Sequence, residues 1–136
     1  MKYDDLSALL KKNGSSLTKP RKVVFDLLFG SSPQSMQQLV KAANGKVDRA
    51  TIYRTIELFE ELGIAHRLNI GWKYKIELSD VFQGHHHHFY CSNCGKTYDL
   101  PAHSMLETMI DSLAAKDDFA PRGHNLEIYG LCKDCV

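Results

Sequence analysis

Four consecutive imidazoles, His85, His86, His87 and His88, run through Phe89 and Tyr90 into Cys91-Ser92-Asn93-Cys94, and a second pair, Cys132 and Cys135, closes the sequence. Imidazole nitrogen and thiolate sulfur are the usual ligands of zinc and its first-row neighbours. A histidine run left by a purification tag sits at a terminus, whereas this one lies mid-chain inside an aromatic stretch, so it is read as part of the protein. Two Cys-x-x-Cys pairs fit a closed four-thiolate shell of the structural-zinc kind. The Cys91–Cys94 turn brings two sulfurs to one ion, and Gly95 relieves the backbone behind it. The rival use, a thioredoxin-like redox pair, belongs between a strand and a helix of a parallel fold, and neither pair stands there.

The elements that must position these ligands follow from periodicity. His85 to Tyr90 reads as a strand, whose successive side chains point to opposite faces. His85 and His87 then face one way and His86 and His88 the other, which implies two imidazole pairs rather than one site. Lys96 to Leu100 reads as a second strand. Met105, Met109 and Leu113 stripe a helix after Pro101, with Glu107 on it as a candidate oxygen ligand, and Asn125 to Tyr129 forms a third strand led by His124. This half is therefore expected to be a small antiparallel sheet with one helix, its last strand pinned to the first cysteine turn by the thiolates. So small a core favours a homodimer.

The preceding half reads differently. Leu6, Leu9 and Leu10 take helical spacing. Thr18 can cap a second helix with Pro20 in its first turn and Val23, Val24, Leu27 and Leu28 as its buried stripe. Ser35 caps a short third helix, and Asp48 a fourth from Arg49 to about Leu62. Two alternating segments, 63–68 and 72–78, read as strands joined by a turn at Asn69-Ile70-Gly71. Helices followed by a hairpin are the order of a winged helix-turn-helix, in which the last helix enters the major groove. The face of that helix opposite its apolar stripe offers Arg49, Thr51, Tyr53 and Arg54, side chains able to reach phosphates and base edges. A plain helical bundle with a solvated basic face has the same pattern.

Composition agrees with two tasks. Residues 1–78 hold 13 Lys and Arg against 8 Asp and Glu, and residues 79–136 hold 4 against 8, which together make the overall net charge of +1. A basic half suits a polyanion; an acidic half holding all four cysteines and six of the seven histidines suits cations. The segments are read as a DNA-binding domain at 1–78, a turn-like hinge at 79–84 and a metal-binding domain at 85–136. No apolar run approaches the ~20 residues of a membrane span, and residues 1–5 open without a signal-peptide core, so a cytoplasmic protein with no membrane partner is expected. His-Glu-x-x-His is absent, as is His-x-Glu with Pro-Cys-x-x-Cys. Neither an enzyme nor a small-molecule substrate is expected.

Taken in order, these motifs resemble the ferric uptake regulator superfamily of metal-sensing repressors. Leu17-Thr18-Lys19-Pro20-Arg21 resembles the family's stretch before its second helix, and Arg49-Ala50-Thr51-Ile52-Tyr53-Arg54-Thr55-Ile56 its recognition helix. His85–His88, Cys91–Lys96 and His124–Cys132 resemble its dimerisation domain. The resemblance implies an α+β chain, a winged helix-turn-helix followed by a small α/β dimerisation domain with an antiparallel sheet. It implies a homodimer that binds double-stranded operator DNA, with Tyr53 and Arg54 matching DNA-contacting positions, and Arg21, Arg49 and Thr51 are read with them as DNA-binding residues. Cys91, Cys94, Cys132 and Cys135 match its structural zinc site. His86, His88, Glu77 and Asp99 match the regulatory site, which His66 on the wing can join because Pro33 stands where many members supply a histidine. His85, His87, Glu107 and His124 match a second site within the dimerisation domain. The regulatory ion implied is Zn2+ or Fe2+, with Mn2+ sharing the same ligand types. Control of zinc or iron uptake genes is the implied role. A peroxide-sensing, iron-dependent repressor of the same superfamily and a zinc-ribbon adaptor without DNA binding are the alternatives.

Overall fold

The computed structural model describes residues 2–70 and 72–136. The chain divides into two compact units, one ending at Gly84 and one beginning at His85.

In the first unit, α1 (Asp4–Lys12) sets Asp4 and Asp5 in its first turn and Lys11 and Lys12 in its last, the polarity that suits the helix dipole. α2 (Lys19–Leu28) starts at Thr18, whose side-chain oxygen accepts from the Arg21 amide, with Pro20 in the first turn. α3 (Met36–Ala43) opens with a capping box in which the Gln38 amide donates to Ser35 Oγ at 3.1 Å and the Ser35 amide to Gln38 Oε1 at 2.8 Å. At the start of α4 (Arg49–Glu61) the Asp48 carboxylate accepts from the Thr51 amide at 3.0 Å. Each cap satisfies N–H groups that the helix itself leaves unpaired.

These helices bury Leu6, Leu10, Val24, Phe25, Leu28, Leu39, Ile52, Ile56 and Phe59 in one core with Ile64, Ile76 and Leu78. The stripe of α2 is shifted from the expected one: Phe25 is fully buried, while Val23 and Leu27 are only half-buried. The larger ring occupies the centre because α2 meets both α3 and α4 and must fill the space between them.

β1 (Ala65–Ile70) and β2 (Lys73–Leu78) pair antiparallel, from Ala65 opposite Leu78 to Ile70 opposite Lys73. Asn69 and Ile70, expected in the turn, are the last paired residues of β1; Gly71 lies outside the described residues. Gln34, ahead of α3, exchanges backbone hydrogen bonds of 2.9 and 2.7 Å with Ile76 and ties the helices to the hairpin. The result is a winged helix-turn-helix.

Residues 79–84 are not an open turn. They contain a helical turn, α5 (Asp80–Gln83), held by Ser79 N–H to Ile64 O at 2.9 Å and Gln83 Nε2 to Leu78 O at 2.6 Å. The Phe82 ring meets Phe25 edge-on at 5.1 Å and so anchors the segment to the first unit. Gly84 follows at φ 74°, ψ 163°, a conformation open essentially to glycine alone.

In the second unit, β3 (His86–Cys91) is the central strand, with β4 (Thr97–Pro101) antiparallel on one side and β5 (Glu127–Gly130) parallel on the other. The sheet is therefore mixed, where a purely antiparallel one was expected. The cause is the connection: α6 (Ser104–Lys116) and the segment after it carry the chain back before β5 begins. β5 then leaves the sheet at the end where β3 delivers Cys91, with the Ser92 amide donating to Gly130 O at 2.8 Å. Only in that direction do the last residues of the chain reach the first cysteine turn. On α6, Met105, Met109 and Leu113 are 73%, 59% and 55% exposed, so the expected stripe faces away from the unit's own sheet. Among the described residues no helix is long and apolar enough to cross a membrane.

Candidate metal centres and the face of α4

The cysteine set is built by two tight turns at one end of the sheet. Cys91 ends β3, and the turn closes with Gly95 N–H to Cys91 O at 2.9 Å, Gly95 taking a positive φ of 76°. Cys132 and Cys135 form a matching turn, with Cys135 N–H to Cys132 O at 2.9 Å. All four sulfurs lie within 4.8 Å of one another and none forms a disulfide. Cys94 Sγ and Cys132 Sγ are 3.8 Å apart, which is the edge, about 3.8 Å, of a tetrahedron with Zn–S bonds near 2.3 Å. Backbone N–H groups, first that of Cys94 and then that of Cys132, hold the Cys91 thiol down to about 6. For Cys135 a bond from the Asn93 side chain acts downward, but Cys132, Cys91, burial and Cys94 together push it up to about 11. Four clustered sulfurs cannot all ionise unaided; a divalent cation relieves that conflict, so the donor set fits zinc.

On one face of β3 the second set converges on Glu107, in the first turn of α6. Glu107 Oε1 lies 2.8 Å from His87 Nε2 and 3.2 Å from His85 Nε2, and Oε2 lies 2.8 Å from His124 Nε2. His85 Nε2 and His124 Nε2 face each other at 3.0 Å. The hydrogen bond from His87 holds the Glu107 carboxyl below its usual range, against the opposing effect of burial, and the neighbouring His124 and His85 add to it. Two ring nitrogens aimed at each other beside a carboxylate are a poor arrangement without a proton or a cation between them. Three imidazoles and one carboxylate, within 4.8 Å of each other, fit a tetrahedral first-row ion.

The third set of expected ligands is divided between the units. In the first, His66 and Glu77 are cross-strand partners of β1 and β2, with His66 Nε2 2.8 Å from Glu77 Oε1 and Glu77 only 3% exposed. In the second, the opposite face of β3 carries His86 and His88, their rings 4.7 Å apart. His88 is buried, with Asp99 Oδ1 4.0 Å from its Nε2 and Glu127 Oε2 3.1 Å from its Nδ1. Asp99 and Glu127 are the residues opposite His88 on the two neighbouring strands. The sequence reading missed Glu127. Its only signal is the register of a parallel pairing between residues far apart in the chain, which no local pattern reveals.

The face of α4 carries charge in fixed positions. Arg49 Nη2 donates to the Tyr53 hydroxyl at 3.3 Å with its guanidinium over that ring, and Arg54 Nη2 donates to Thr51 Oγ1 at 3.1 Å. Arg21, at the start of α2, is held by Ser16 O at 2.6 Å. Thr18, Pro20, Arg21, Thr51 and Arg54 line one open cavity of ≈ 320 Å³. Residues from two elements thus place two guanidinium groups on one side of the unit.

The ferric uptake regulator family matches residues 12–129. The ferric uptake regulation protein of Campylobacter upsaliensis is 32% identical over 148 residues, covering 99% of this chain and 92% of that one. The peroxide operon regulator of Bacillus subtilis is 31% identical over 131 residues, covering 93% and 88%. The solved structure of the Vibrio cholerae ferric uptake regulator is similar with a TM-score of 0.75 at 30% identity, covering 94% of this chain and 100% of that one. With the winged unit, the mixed sheet and the ligand sets already in place, these likenesses identify the chain as a member of the ferric uptake regulator family of metal-responsive transcriptional repressors.

Proposed function

We propose that this protein is a cytoplasmic, homodimeric repressor of zinc or iron uptake genes whose grip on double-stranded operator DNA is set by a metal ion held across residues 78–86. The observation that carries this reading is the division of one ligand set between two units. His66 and Glu77 are already paired in the first, and the rings of His86 and His88 already meet edge-on in the second. Asp99, beside His88, supplies a further carboxylate. A divalent ion shared by these residues supplies a cross-link between the units. Residues 79–83 are anchored to the first unit by Phe82, so the freedom to be restrained lies at Gly84. Fixing it fixes the spacing of two α4 helices in a dimer, and with it their match to operator half-sites. A coupling of ~1–3 kcal/mol corresponds to a 5–150-fold change in operator affinity, limited by the ion's differential affinity for the two conformations.

Cys91, Cys94, Cys132 and Cys135 hold structural zinc, and His85, His87, Glu107 and His124 a second ion within the same unit. The exposed apolar residues of that unit, among them Met105, Met109, Ile128 and Tyr129, are the surface for the dimer partner. Arg21, Arg49, Thr51, Tyr53 and Arg54 face the duplex. The regulatory ion is Zn2+ or Fe2+, and the same ligand types admit Mn2+. Elemental analysis of protein prepared under controlled zinc, iron and manganese, paired with operator titrations in each metal, tests the reading. One metal should raise operator affinity within the stated range, and equal affinity in all three and in their absence would overturn it.

A second reading, a peroxide-sensing repressor, draws support from the similarity to the Bacillus subtilis protein and from Glu77 and Asp99, oxygen donors suited to iron. Mass spectrometry after exposure to iron and peroxide separates the two: a +16 adduct on a histidine favours peroxide sensing, and its absence favours uptake control.

A further inference from the structure

We infer that Glu127 is the positioning residue of the regulatory site: its carboxylate fixes the tautomer of His88, so that Nε2 alone is presented to the ion. The inference rests on the assignment of His88 to that site under the proposed function, and adds a residue that the ligand pattern does not contain.

The chemistry is constrained by what each group can donate. Glu127 Oε2 lies 3.1 Å from His88 Nδ1. An ionised carboxylate only accepts, so the proton of the bond resides on Nδ1. A neutral imidazole protonated at Nδ1 keeps its lone pair at Nε2. That nitrogen faces toward Asp99, whose Oδ1 is 4.0 Å away. The ring has little freedom to do otherwise. The His88 side chain is 2% exposed and that of Glu127 20%, and the two residues are register partners on β3 and β5. Backbone pairing therefore sets the distance between the carboxylate and the ring before any ion arrives.

His87, on the opposite face of the same strand, provides the contrast. Its Nε2 contacts Glu107 at 2.8 Å, yet its Nδ1 is buried without a hydrogen-bond partner among the described residues. One histidine of β3 has an outer carboxylate behind it and its neighbour has none. An outer carboxylate orients the ring and raises the basicity of the coordinating nitrogen, and loss of such a partner costs 10–100-fold in metal affinity. Glu127 thus biases occupancy toward the face of β3 carrying His86 and His88, the face assigned to control DNA.

The test uses the full-length, zinc-loaded dimer with two readouts. Long-range proton–nitrogen NMR of the histidine rings, before any second ion is added, should show His88 protonated at Nδ1. Glu127→Ala should shift it toward the Nε2-protonated form, while Glu127→Gln, which keeps an acceptor oxygen, should restore the Nδ1 form. Titration with Co2+ should then show the visible spectrum of the His86–His88 site developing at 10–100-fold higher concentration in Glu127→Ala, with zinc retained at the cysteines. His88 protonated at Nε2 in the wild type, or a Co2+ affinity unchanged by Glu127→Ala, would overturn the inference. A wild type with the Nδ1 tautomer that takes up no second ion would instead bring down the regulatory assignment and leave the positioning of His88 standing.

Discussion

The two units solve the problem of staying folded in different ways. In the first, four helices, three of them capped by side chains, and a hairpin enclose Phe25, Phe59, Leu6, Leu10, Ile52, Ile56 and Ile76, all at 1% exposure or less. In the second, Tyr90 and Cys91 are the only buried hydrophobic residues among those described, and they share the interior with His87 and His88. Its larger apolar side chains, including Phe89, Phe119, Ile128, Tyr129 and Leu131, are exposed. A unit of this size cannot stand on so little burial, since small domains lacking a core rely on metal, disulfides or oligomerisation. The four clustered free cysteines and the uncovered apolar surface are where the proposed zinc and the proposed dimer partner would supply the first and third of these. The comparison teaches that the first unit is held by hydrophobic burial, whereas the second gathers its metal-ligating side chains where a core would otherwise be.

The sharpest way to break that comparison is to remove the cysteine site. Cys91→Ser should unfold the second unit, because the binding free energy of structural zinc, about 10–16 kcal/mol in small zinc modules, is folding free energy there. Amide hydrogen exchange should show protection lost from His85 onward and retained in α2 and α4. Normal protection throughout would show that the second unit has a core of its own.

The converse substitution sharpens the other side. Phe25→Ala should destabilise the first unit by roughly 3–5 kcal/mol through the cavity it leaves. Urea unfolding followed separately for the two units should move the first transition and leave the second in place.

Smaller effects are expected on the face that burial holds in position. Arg54→Ala should weaken operator binding by about 1–3 kcal/mol if its guanidinium meets a base, or lower the salt slope by about one if it meets a phosphate. Titrations at several salt concentrations distinguish these. In either case zinc content and second-unit protection should not change.

The smallest effect concerns Asp48. The Thr51 side chain and backbone hold its carboxyl below the usual value of 3.8. A depressed folded-state pKa means that its contribution to α4 is present above the unfolded value and is lost as pH falls through the folded one. Asp48→Asn, which keeps an acceptor oxygen for the cap, should remove that part of the acid sensitivity of the first unit and leave neutral-pH stability nearly unchanged. A variant with the same acid profile as wild type would show that this cap does not contribute to it.

What was legible in the sequence was local. Thr18, Ser35 and Asp48 announce helix starts because a cap needs only its own next three residues, and all three bond as expected. The division of the histidine run needs only strand alternation, and the rings do fall into two edge-on pairs, His85 with His87 and His86 with His88. The departures come from contacts between distant positions. Phe82 meets Phe25, far away in the chain, and so holds the short helical turn of residues 80–83 against the first unit. The parallel direction of β5, and with it the meeting of Glu127 and His88, depends on how the chain returns after α6. Composition carries no trace of either.

In the proposed mechanism the pair His86 and His88, and not the cysteine site, switches DNA binding. The most direct test is the operator affinity of the His86→Ala, His88→Ala double variant, measured with and without the regulatory metal alongside its zinc content. The expected result is a folded dimer with zinc at its four cysteines whose operator affinity no longer responds to metal. A double variant that binds operator with undiminished, metal-dependent affinity would contradict it.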